Sequence, residues 1–505
     1  MKVVDSLRMA RIDREAQDRF SIPEIVLMED AGRGIYAVLW EKIWKSGPPG
    51  GLVVFLAGKG NNGGDALVVA RLCRLAGMSR LAVILGSGEP KAENLAGVHL
   101  KICRSLGIDV IDYGAEKRQA HRLLGEARWL VDGLLGTGGT GPVRPPLEEL
   151  IQRCNRVSAL RIAVDIPSGI GDAYGKGNTA FQADYTLTVE LPKLCLYLPN
   201  TRRFCGDIHL VRGVFPPELF EHEDIPGQMI TDQLKRHLLR PLAPDSHKGQ
   251  RGHLAVFAGS EGTTGAAWLC STSAARSRAG LVTLFLDRSL YTGNIPKYSS
   301  VMLHPWDGDL PDLRKFDALL VGPGWGLSEQ RERCLEQLFR SRIQGVLDAD
   351  GISLLAALRK KKTVKLGGAW ILTPHPGEFS RLLDMDTAAV LDDPLPLLLR
   401  ASAELEATII LKGHCSIVVC PDGRYGILDG MNAAMATGGS GDVLAGICAG
   451  LLASECESED AANLAVLLHS EIGRELYRDK GYFLAEDMVA SISSICKVES
   501  GGSQP

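Results

Sequence analysis

The chain has 505 residues, of which 45% are hydrophobic and 23% are charged. Because this length exceeds what a single hydrophobic core supports, we expect more than one domain in an ordinary soluble globular protein. The formal net charge of −4 gives no electrostatic reason to expect a nucleic acid or an anionic membrane as a partner.

Three features of the chain indicate a cytoplasmic location. No apolar run reaches the roughly 18 residues that cross a bilayer, so we expect no membrane partner. The first residues mix charged and apolar side chains early, without the apolar segment of a signal peptide. The 12 cysteines contain no Cys-x-x-Cys pair, which is typical of thiols in a reducing compartment rather than of a zinc site or a disulfide framework.

The N-terminal half begins with helical patterning and continues as an alternation of strands and helices. Residues 3–45 predict helices, with a break at Ser21-Ile22-Pro23 because proline disfavours helix continuation. Short apolar runs then predict buried strands at 52–57, 81–85, 108–111, 129–132 and 162–165. With helices between them, these strands predict a parallel, doubly wound α/β sheet.

A glycine loop follows the first of these strands. The segment from Gly58 to Gly63 fits G-x-G-x-x-G between a strand and a helix, a weak fingerprint of dinucleotide binding. A hydride-transferring Rossmann enzyme is not favoured, because Glu89 comes too late to be the acidic residue expected after the next strand. The pair Asn61-Asn62 ahead of Asp65 is more informative, since two amides and a carboxylate can bind ribose, phosphate and a cation. A plain turn needs only one Asn.

Further polar loops leave the predicted carboxyl ends of three other strands. They begin with Asp132, which precedes a glycine-rich run to Pro142, with Asp165, and with the Pro192-Lys193 segment that follows a further predicted strand at 186–189. Ligands of open α/β sheets bind at this edge. One such loop is more often a turn than a site, but four at one edge are difficult to explain structurally. The sequence therefore predicts a ligand site here.

These motifs together resemble the NAD(P)H-hydrate epimerase family over roughly residues 1–215. The resemblance implies a Rossmann-like fold that binds hydrated NAD(P)H and a potassium ion and interconverts the R and S hydrates. It implies that Asp165 lies at the reacting centre and that potassium binds at Asn62, Asp132 and Ser168. Ala66 stands where the family usually has glycine. The implied hydrate-binding residues are Asn61, Asn62, Gly63, Gly64, Asp65, Gly136, Thr137, Gly138, Gly139, Thr140, Gly141, Pro142 and Lys193.

A change of composition after Phe215 separates the two halves. Prolines and a polar run interrupt the pattern between Phe215 and Gly252, and we predict domains at residues 1–222 and 223–505. A second α/β series follows. Its predicted strands lie at 253–258, 281–286, 319–321, 346–350, 370–373 and 409–413. No G-x-x-x-x-G-K-[ST] motif occurs, which disfavours a P-loop nucleotidase.

Near the end of the chain, three glycines fall within the four residues from Gly438 to Gly441, ahead of Asp442 and an apolar helical run. Glycines let backbone amides approach a ligand, and a helix N-terminus favours an anion such as phosphate. A carboxylate there can take a proton from a hydroxyl next to the phosphate. The alternative is a capped helix, with Ser440 as N-cap and Asp442 in the first turn for stability alone. This stretch by itself leaves both interpretations open.

The motifs from about residue 230 to 495 resemble the ADP-dependent NAD(P)H-hydrate dehydratases, which have a ribokinase-like fold. The segment Gly430–Ala434 departs from the Asn-Pro-Gly that the family often has. His375 stands between two prolines, so an ordinary loop residue is the alternative there. The resemblance implies that Asp442 is catalytic and that magnesium bridges the nucleotide phosphates. The implied hydrate contacts are Ala266, Gly324, His375 and Asp442, and the implied nucleotide contacts are Lys412, Gly413, His414, Cys415, Ser416 and Gly441.

The sequence is therefore interpreted as a bifunctional isomerase and lyase for hydrated NAD(P)H. It would epimerise the R and S hydrates, NADHX or NADPHX, and dehydrate the S form while ADP is converted to AMP and phosphate. Its expected co-substrate is ADP or ATP, and a homo-oligomer is expected. One alternative is a vitamin or sugar kinase with an N-terminal regulatory domain. Another is a non-catalytic N-terminal module, which Asp165 and the complete loop from Asn61 to Asp65 argue against.

Overall fold

The computed structural model describes residues 1–45, 47, 50–139, 141–222, 225–239, 245–454 and 456–496. The chain divides into two compact units, Met1–Pro226 and Gly227–Pro505. The predicted domain boundary lies between residues 222 and 223, and residue 223 falls outside the described residues. Each unit has hydrophobic core clusters of its own.

The first unit is an α/β structure with strands and helices in alternation. Its strands are β1 (Lys2–Val3), β2 (Leu52–Ala57), β3 (Leu81–Leu85), β4 (Asp109–Asp112), β5 (Ala127–Gly133), β6 (Leu160–Val164), β7 (Tyr185–Val189) and β8 (Asp207–Val211). Its helices are α1 (Ser6–Phe20), α2 (Glu24–Val38), α3 (Asn61–Leu75), α4 (Leu95–Ser105), α5 (Lys117–Glu126), α6 (Leu147–Cys154) and α7 (Glu218–His222). Ser21, in the left-handed region with φ 53°, and Pro23 separate α1 from α2, which confirms the predicted break.

The first unit is built on a parallel sheet with helices on both faces. Among the described residues the sheet has seven strands in the order β4-β3-β2-β5-β6-β7-β8, and every pair is parallel. Along β2, Val53 and Phe55 enter one hydrophobic core, whereas Val54 and Leu56 enter the other. Burial on both faces explains why this strand is an uninterrupted apolar run. The predicted doubly wound arrangement is confirmed.

The second unit has a mixed sheet. Its strands are β9 (Gly227–Met229), β10 (His253–Phe257), β11 (Leu281–Asp287), β12 (Met302–Trp306), β13 (Ala318–Val321), β14 (Gln344–Leu347), β15 (Trp370–Leu372), β16 (Thr408–Leu411), β17 (Cys415–Val419) and β18 (Tyr425–Asp429). They run in the order β9-β18-β17-β16-β15-β14-β13-β10-β11-β12. The pairs β16–β17 and β17–β18 are antiparallel. The predicted strands of this half are present, but the hairpin β17–β18 is not among them.

Helices of the second unit surround this sheet. They are α8 (Asp232–Leu238), α9 (Thr264–Arg276), α10 (Arg288–Asn294), α11 (Glu329–Arg340), α12 (Asp350–Lys361), α13 (Pro376–Leu383), α14 (Thr387–Asp392), α15 (Pro394–Leu405), α16 (Ser440–Ala453), α17 (Ser458–Lys480) and α18 (Ala485–Ile495). Helix α16 is buried from Val443 to its end, which accounts for its apolar composition on every side. It packs closely on α9, because a Cβ at Gly446 would lie 2.2 Å from the Cys270 carbonyl oxygen.

The start of α16 differs from one of the two interpretations of its sequence. The helix begins at Ser440, and its N-cap is Gly439, which has φ 88° and supplies no side-chain hydrogen bond. Ser440 is therefore not the N-cap, so that part of the capped-helix interpretation is wrong. A residue with a Cβ is strained at this φ, and a Cβ on Gly439 would also lie 2.5 Å from Leu269 Cδ1. Asp442 lies in the first turn, as both interpretations require.

Candidate active sites

A cavity of about 590 Å³ lies at the carboxyl edge of the first sheet. The loops after β2, β5, β6 and β7 meet at this edge because the strands are parallel. The predicted hydrate-binding and catalytic residues that line the cavity are Asn61, Asn62, Gly63, Asp65, Gly136, Thr137, Gly138, Gly139, Asp165 and Lys193. Gly64, Gly141 and Pro142 are not in its lining, and Thr140 lies outside the described residues.

Asp165 and Lys193 form an ion pair on the cavity wall. Lys193 Nζ lies 2.6 Å from Asp165 Oδ1, and the Lys193 side chain is 1% exposed. Asp165 Oδ1 also accepts hydrogen bonds from the Val189 amide at 3.0 Å and the Thr188 hydroxyl at 3.3 Å. The backbone of Asp165 has φ 61°, which is unusual for a residue with a Cβ and concentrates at functional sites. The carboxylate is thus held in one orientation towards the cavity.

The three residues predicted to bind potassium meet around Leu134 and Leu135. Buried Asp132 accepts hydrogen bonds from the Ser168 hydroxyl at 2.7 Å, the Ser168 amide at 2.8 Å and the Leu134 amide at 3.1 Å. Burial raises the pKa of Asp132 to about 6, and the Ser168 hydrogen bonds oppose this rise. Asn62 Nδ2 donates to the Leu135 carbonyl at 2.9 Å. Within the described part of the chain, buried Asn62 Oδ1 has no hydrogen-bond partner.

In the second unit, Lys412 lies over the N-terminus of α16. Its Nζ would be 3.3 Å from a Cβ on Gly441, and it donates to Asp348 Oδ1 at 2.8 Å. Asp348 is buried and also accepts from the Thr373 hydroxyl at 2.8 Å. Burial alone would lower the pKa of Lys412, but Asp348 and Glu378 raise it above the ordinary value. The Lys412 ammonium group therefore lies close to the first backbone amides of α16, and the two together suit a phosphate group.

Asp442 stands beside this cation in an acidic environment. Burial raises the pKa of Asp442 to about 7, and the charge of Asp348 adds to the rise while Lys412 opposes it. A carboxylate with a pKa near neutrality is matched to general base catalysis. Asp348 and Glu378 were not predicted as site residues from the sequence. Glu378 follows the predicted strand 370–373, whereas Asp348 lies inside the predicted strand 346–350 and follows a strand only in the structure, where β14 ends at Leu347.

The predicted hydrate contacts Ala266 and Gly324 are neighbours. A Cβ on Gly324, which has φ 56°, would lie 3.2 Å from the Ala266 Cβ. The Thr263 and Ser260 hydroxyls donate to the Gly324 carbonyl at 2.7 and 3.0 Å and hold the two loops together. His375 is 52% exposed. It also caps α13, since its Nδ1 accepts from the Gly377 amide at 3.0 Å, so it has a structural role whatever it binds.

The predicted nucleotide segment after Lys412 is a turn followed by a strand. Gly413 and His414 are exposed in the turn between β16 and β17, and Ser416 is half-buried. Cys415 is buried, and its thiol approaches Asp429 Oδ1 at 3.6 Å. Any contact of Cys415 with a nucleotide would therefore be made by its backbone.

One half-buried histidine was not predicted from the sequence. His469 on α17 donates from Nε2 to the Ser440 carbonyl at 2.9 Å, and burial lowers its pKa to about 4. It is therefore a neutral hydrogen-bond donor at neutral pH, and it ties α17 to the first residue of α16. No local signal marks it, because it stands on a helix face among apolar residues.

Among the described helices, none combines the length and apolar character that a membrane span requires.

Two family models match the chain, one in each unit. The first is described as YjeF-related protein N-terminus and matches residues 24–195. The second is described as NAD(P)H-hydrate dehydratase and matches residues 254–494. Across 498 residues the chain is 31% identical to the bifunctional NAD(P)H-hydrate repair enzyme Nnr of Moorella thermoacetica, and the match covers 95% of this chain and 93% of that protein. The chain belongs to the bifunctional NAD(P)H-hydrate repair enzyme family.

A second relative agrees with this assignment. The repair enzyme Nnr of Escherichia coli is 30% identical over 495 residues, covering 97% of this chain and 93% of that protein. The predicted membership of the NAD(P)H-hydrate repair enzyme family, with an epimerase half and a dehydratase half, is confirmed. Because the matches span both halves, a kinase with an unrelated regulatory domain is disfavoured.

Solved structures of related proteins cover about half of the chain. The ADP/ATP-dependent NAD(P)H-hydrate dehydratase of Bacillus subtilis, co-crystallised with ATP and Mg²⁺, is 25% identical with a TM-score of 0.48. It covers 53% of this chain and 96% of that chain. A ribokinase-like superfamily protein of Enterococcus faecalis is 24% identical with a TM-score of 0.49, covering 55% of this chain and 98% of that chain.

Proposed function

We propose that the two units carry out two successive steps of NAD(P)H-hydrate repair. The first unit interconverts the R and S hydrates in its cavity, and the second converts the S hydrate to NAD(P)H while ADP becomes AMP and phosphate. The proposal is supported chiefly by one observation. Each unit of this family member carries a half-buried carboxylate near a lysine: Asp165 contacts Lys193, and the charge of Lys412 acts on Asp442.

In the first unit, Asp165 is proposed to stand at the reacting carbon. As the ring hydroxyl leaves, positive charge develops on the ring, and an oriented carboxylate stabilises it. The backbone amides at the start of α3, from Asn61 to Gly64, and the loop from Gly136 to Pro142 would bind the pyrophosphate, as helix N-termini and glycine loops do. Lys193 keeps Asp165 oriented through their 2.6 Å contact.

A potassium ion fits the polar groups next to this cavity. Its proposed ligands are Asn62, Asp132 and Ser168, and the Leu135 carbonyl lies between them. The support for the site is buried Asn62 Oδ1, an oxygen ligand that has no other partner among the described residues. When bound, the cation would supply positive charge next to the anionic part of the hydrate. Asn62 and Asp132 would keep the glycine loop in place around it.

In the second unit, Asp442 is proposed to take the proton of the ring hydroxyl as its oxygen attacks the β-phosphorus of ADP. AMP leaves, and the hydroxyl becomes a phosphate ester. Phosphate is a better leaving group than hydroxide, so elimination with loss of a proton from the adjacent ring carbon gives NAD(P)H. Ala266, Gly324 and His375 would bind the hydrate, and Gly441 and the segment from Lys412 to Ser416 would hold the nucleotide phosphates.

Magnesium is proposed to bind chiefly through the nucleotide. The described part of the chain holds no cluster of three or more acidic, histidine or cysteine side chains that could bind a metal ion. A site with few protein ligands fits magnesium, because this ion keeps several waters and needs only one or two carboxylates besides phosphate. When bound, the ion would neutralise charge on the transferred phosphoryl group.

A homo-oligomer also remains a prediction. Light scattering on the purified chain tests it.

One assay tests the proposed reactions together. The full chain is incubated with an R and S mixture of hydrated NADH, ADP, magnesium and potassium, and the dihydronicotinamide absorbance is followed. We expect both hydrates to be consumed, with one AMP and one phosphate released for each NADH recovered. Omitting ADP should stop NADH recovery and leave the hydrates interconverting. Accumulation of a stable phosphorylated product would instead establish a small-molecule kinase.

A further inference from the structure

Helix α1 brings a carboxyl group into the first unit's cavity that neither the sequence motifs nor the family resemblance selected. Met9, Asp13 and Gln17 all line the cavity, and their spacing of four residues places them on one helix face. The neighbouring face is buried through Ile12 and Ala16. Asp13 is therefore carried by a helix that is packed into the core of its unit.

The start of α1 is attached to the segment that carries Lys193. The Val4 amide donates to the Pro192 carbonyl at 3.1 Å, and the Leu194 amide donates to the Val4 carbonyl at 2.8 Å. The Asp5 side chain then caps α1 by accepting from the Arg8 amide at 2.7 Å. These contacts hold the helix next to the Asp165–Lys193 pair. The approach of Asp13 to that pair is therefore a built feature of the fold.

The charges around Asp13 do not balance when every carboxyl group is ionised. Lys193 is already paired with Asp165 at 2.6 Å. The carboxyls of Glu24 and Asp65 also interact with Asp13, and Lys59 is a second cation in the cavity lining, so four carboxyls face two ammonium groups. Burial raises the pKa of Asp13 to about 6, Lys193 opposes the rise, and Asp165 and Glu24 add to it. Burial, then Asp165 and Asp13, raise the pKa of Asp65 well above the ordinary value.

Two carboxyl groups that line one cavity do not both ionise readily, so the raised pKa values of Asp13 and Asp65 favour a proton on one of the two. Asp165 differs from them. Its Oδ1 accepts hydrogen bonds from the Lys193 ammonium, the Val189 amide and the Thr188 hydroxyl, which hold the side chain in place. The cavity thus combines a carboxylate and a proton donor, and such paired environments assign separate acid and charge-stabilising roles.

We propose that Asp13 is a further catalytic residue of the epimerase, the acid that protonates the ring hydroxyl as it leaves. This inference rests on the proposed function of the first unit. The Asp13 carboxyl gives its proton to the hydroxyl oxygen, and the carbon–oxygen bond breaks with both electrons going to that oxygen. Water departs, and the ring nitrogen stabilises the cation while Asp165 faces it. When water adds to the opposite side of the ring it releases a proton, and Asp13 recovers one through water in the cavity, so no net proton is consumed.

Asp13→Asn in the full chain tests this assignment, with Asp18→Asn as the matched control. Asp18 is an exposed residue of the same helix. Epimerisation is measured as the approach of purified R hydrate to the R and S mixture, without ADP and with the spontaneous rate subtracted. We expect Asp13→Asn to slow it by about 10²-fold or more, as loss of a positioned acid does. Asp18→Asn should keep the wild-type rate, and dehydration of the S hydrate should be unchanged in both variants.

The pH profile of the wild-type chain provides a test that does not depend on any variant folding. Catalysed epimerisation should fall as pH rises above about 6, because the acid form of Asp13 is lost, and Asp13→Asn should remove this fall. A flat wild-type profile would overturn the assignment, as would a folded Asp13→Asn variant with a normal rate. A slowed variant that keeps the wild-type pH dependence would also overturn it, because that result indicates a structural role. If the wild-type chain does not epimerise at all, the proposed function fails instead.

Discussion

At the scale of single residues, the two proposed reactions depend on carboxylates whose environments differ. Asp442 has a pKa raised to about 7 by burial and by Asp348, whereas Asp165 contacts Lys193 at 2.6 Å. The first arrangement suits a group that gains and loses a proton near neutral pH. The second suits a group that stabilises charge. Substitutions at the two positions therefore have different expected consequences.

Asp442→Ala should lower the single-turnover rate of dehydration by about 10²–10⁴-fold, the usual contribution of a positioned acid–base group. Nucleotide binding should persist, because Lys412 and the α16 amides, the proposed phosphate contacts, do not depend on this carboxylate. If Asp442 served only the helix start, the variant would lose roughly 1 kcal/mol of stability and keep its rate. Melting temperature and single-turnover rate on one sample separate the two outcomes.

The pH dependence of dehydration gives an independent check on Asp442. The raised pKa means that the carboxyl is protonated below about pH 7 and cannot accept the hydroxyl proton there. The wild-type rate should therefore rise with pH up to about 7 and then level. Wild-type rates that do not change across this range would contradict the role of Asp442 as the base.

Asp165→Asn should slow epimerisation by at least about 10²-fold and leave dehydration of the S hydrate intact. The physical reason is that the amide keeps the shape of the side chain but removes the negative charge that faces Lys193. Epimerisation is measured from R hydrate without ADP, and dehydration from S hydrate with ADP. Loss of both activities in a folded variant would show that the two reactions are not assigned to separate sites.

Removal of potassium should slow epimerisation through Asn62 and Asp132. Dialysis into a buffer free of sodium and potassium is expected to lower the rate, and added potassium should restore it. Asn62→Ala should weaken the restoration, because it removes the buried Asn62 Oδ1 that is proposed to bind the cation. Dehydration of S hydrate in the same buffers serves as the control. An epimerisation rate independent of potassium would remove the cation from the proposal.

At the scale of elements, α16 connects the core of the second unit to its chemistry. The helix is buried from Val443 onward, so the position of its first turn depends on how closely it packs. Gly446 and Gly450 make this contact with α9 close, since a Cβ on Gly450 would lie 2.3 Å from Ser277 Oγ. At the other end, His469 donates to the Ser440 carbonyl. Packing and one hydrogen bond thus define where Asp442 stands.

Gly446→Ala should destabilise the second unit by about 1–3 kcal/mol, the usual cost of overpacking a core. The new Cβ would lie 2.2 Å from the Cys270 carbonyl oxygen, so the two helices must separate. Gly265→Ala on α9 is the matched control, because a Cβ there meets nothing within 4 Å. Alanine at Gly265 should be neutral or stabilising by about 0.5–1 kcal/mol. Calorimetric melting of the full chain measures both, and equal melting temperatures for the two variants would contradict the close helix contact.

At the scale of the whole molecule, the two reactions are assigned to separate compact units, Met1–Pro226 and Gly227–Pro505. Their substrate is a diffusible hydrate, so one chain should be able to use what another releases. A mixture of the Asp165→Asn and Asp442→Ala variants should therefore convert R hydrate to NADH, although neither variant alone does so above the spontaneous epimerisation rate. NADH recovery from R hydrate plus ADP is the readout. A mixture as slow as either variant would show that the hydrate must stay with one chain.

Much of the architecture follows from local sequence patterns. Uninterrupted apolar runs such as Leu52–Ala57 predict strands buried on both faces, and the structure has β2 at those residues. Parallel strands bring their carboxyl ends to one edge, so the loops with Asn62, Asp132 and Asp165 could be assigned to one ligand site from the sequence alone. The sequence could do this because strand pattern, turn chemistry and the edge rule are all local.

Other features depended on the tertiary structure. The interpretation of Ser440 as an N-cap was decided by the backbone of Gly439, whose φ of 88° no sequence pattern specifies. Asp13 stands on an ordinary amphipathic helix, and only the packing of α1 against the Lys193 segment brings it to Asp165. His469 likewise acquires its partner, the Ser440 carbonyl, through helix packing. The pKa of a buried group depends on neighbours distant in the chain, which is why the sequence predicted candidate loops, whereas the charges around them follow only from the tertiary structure.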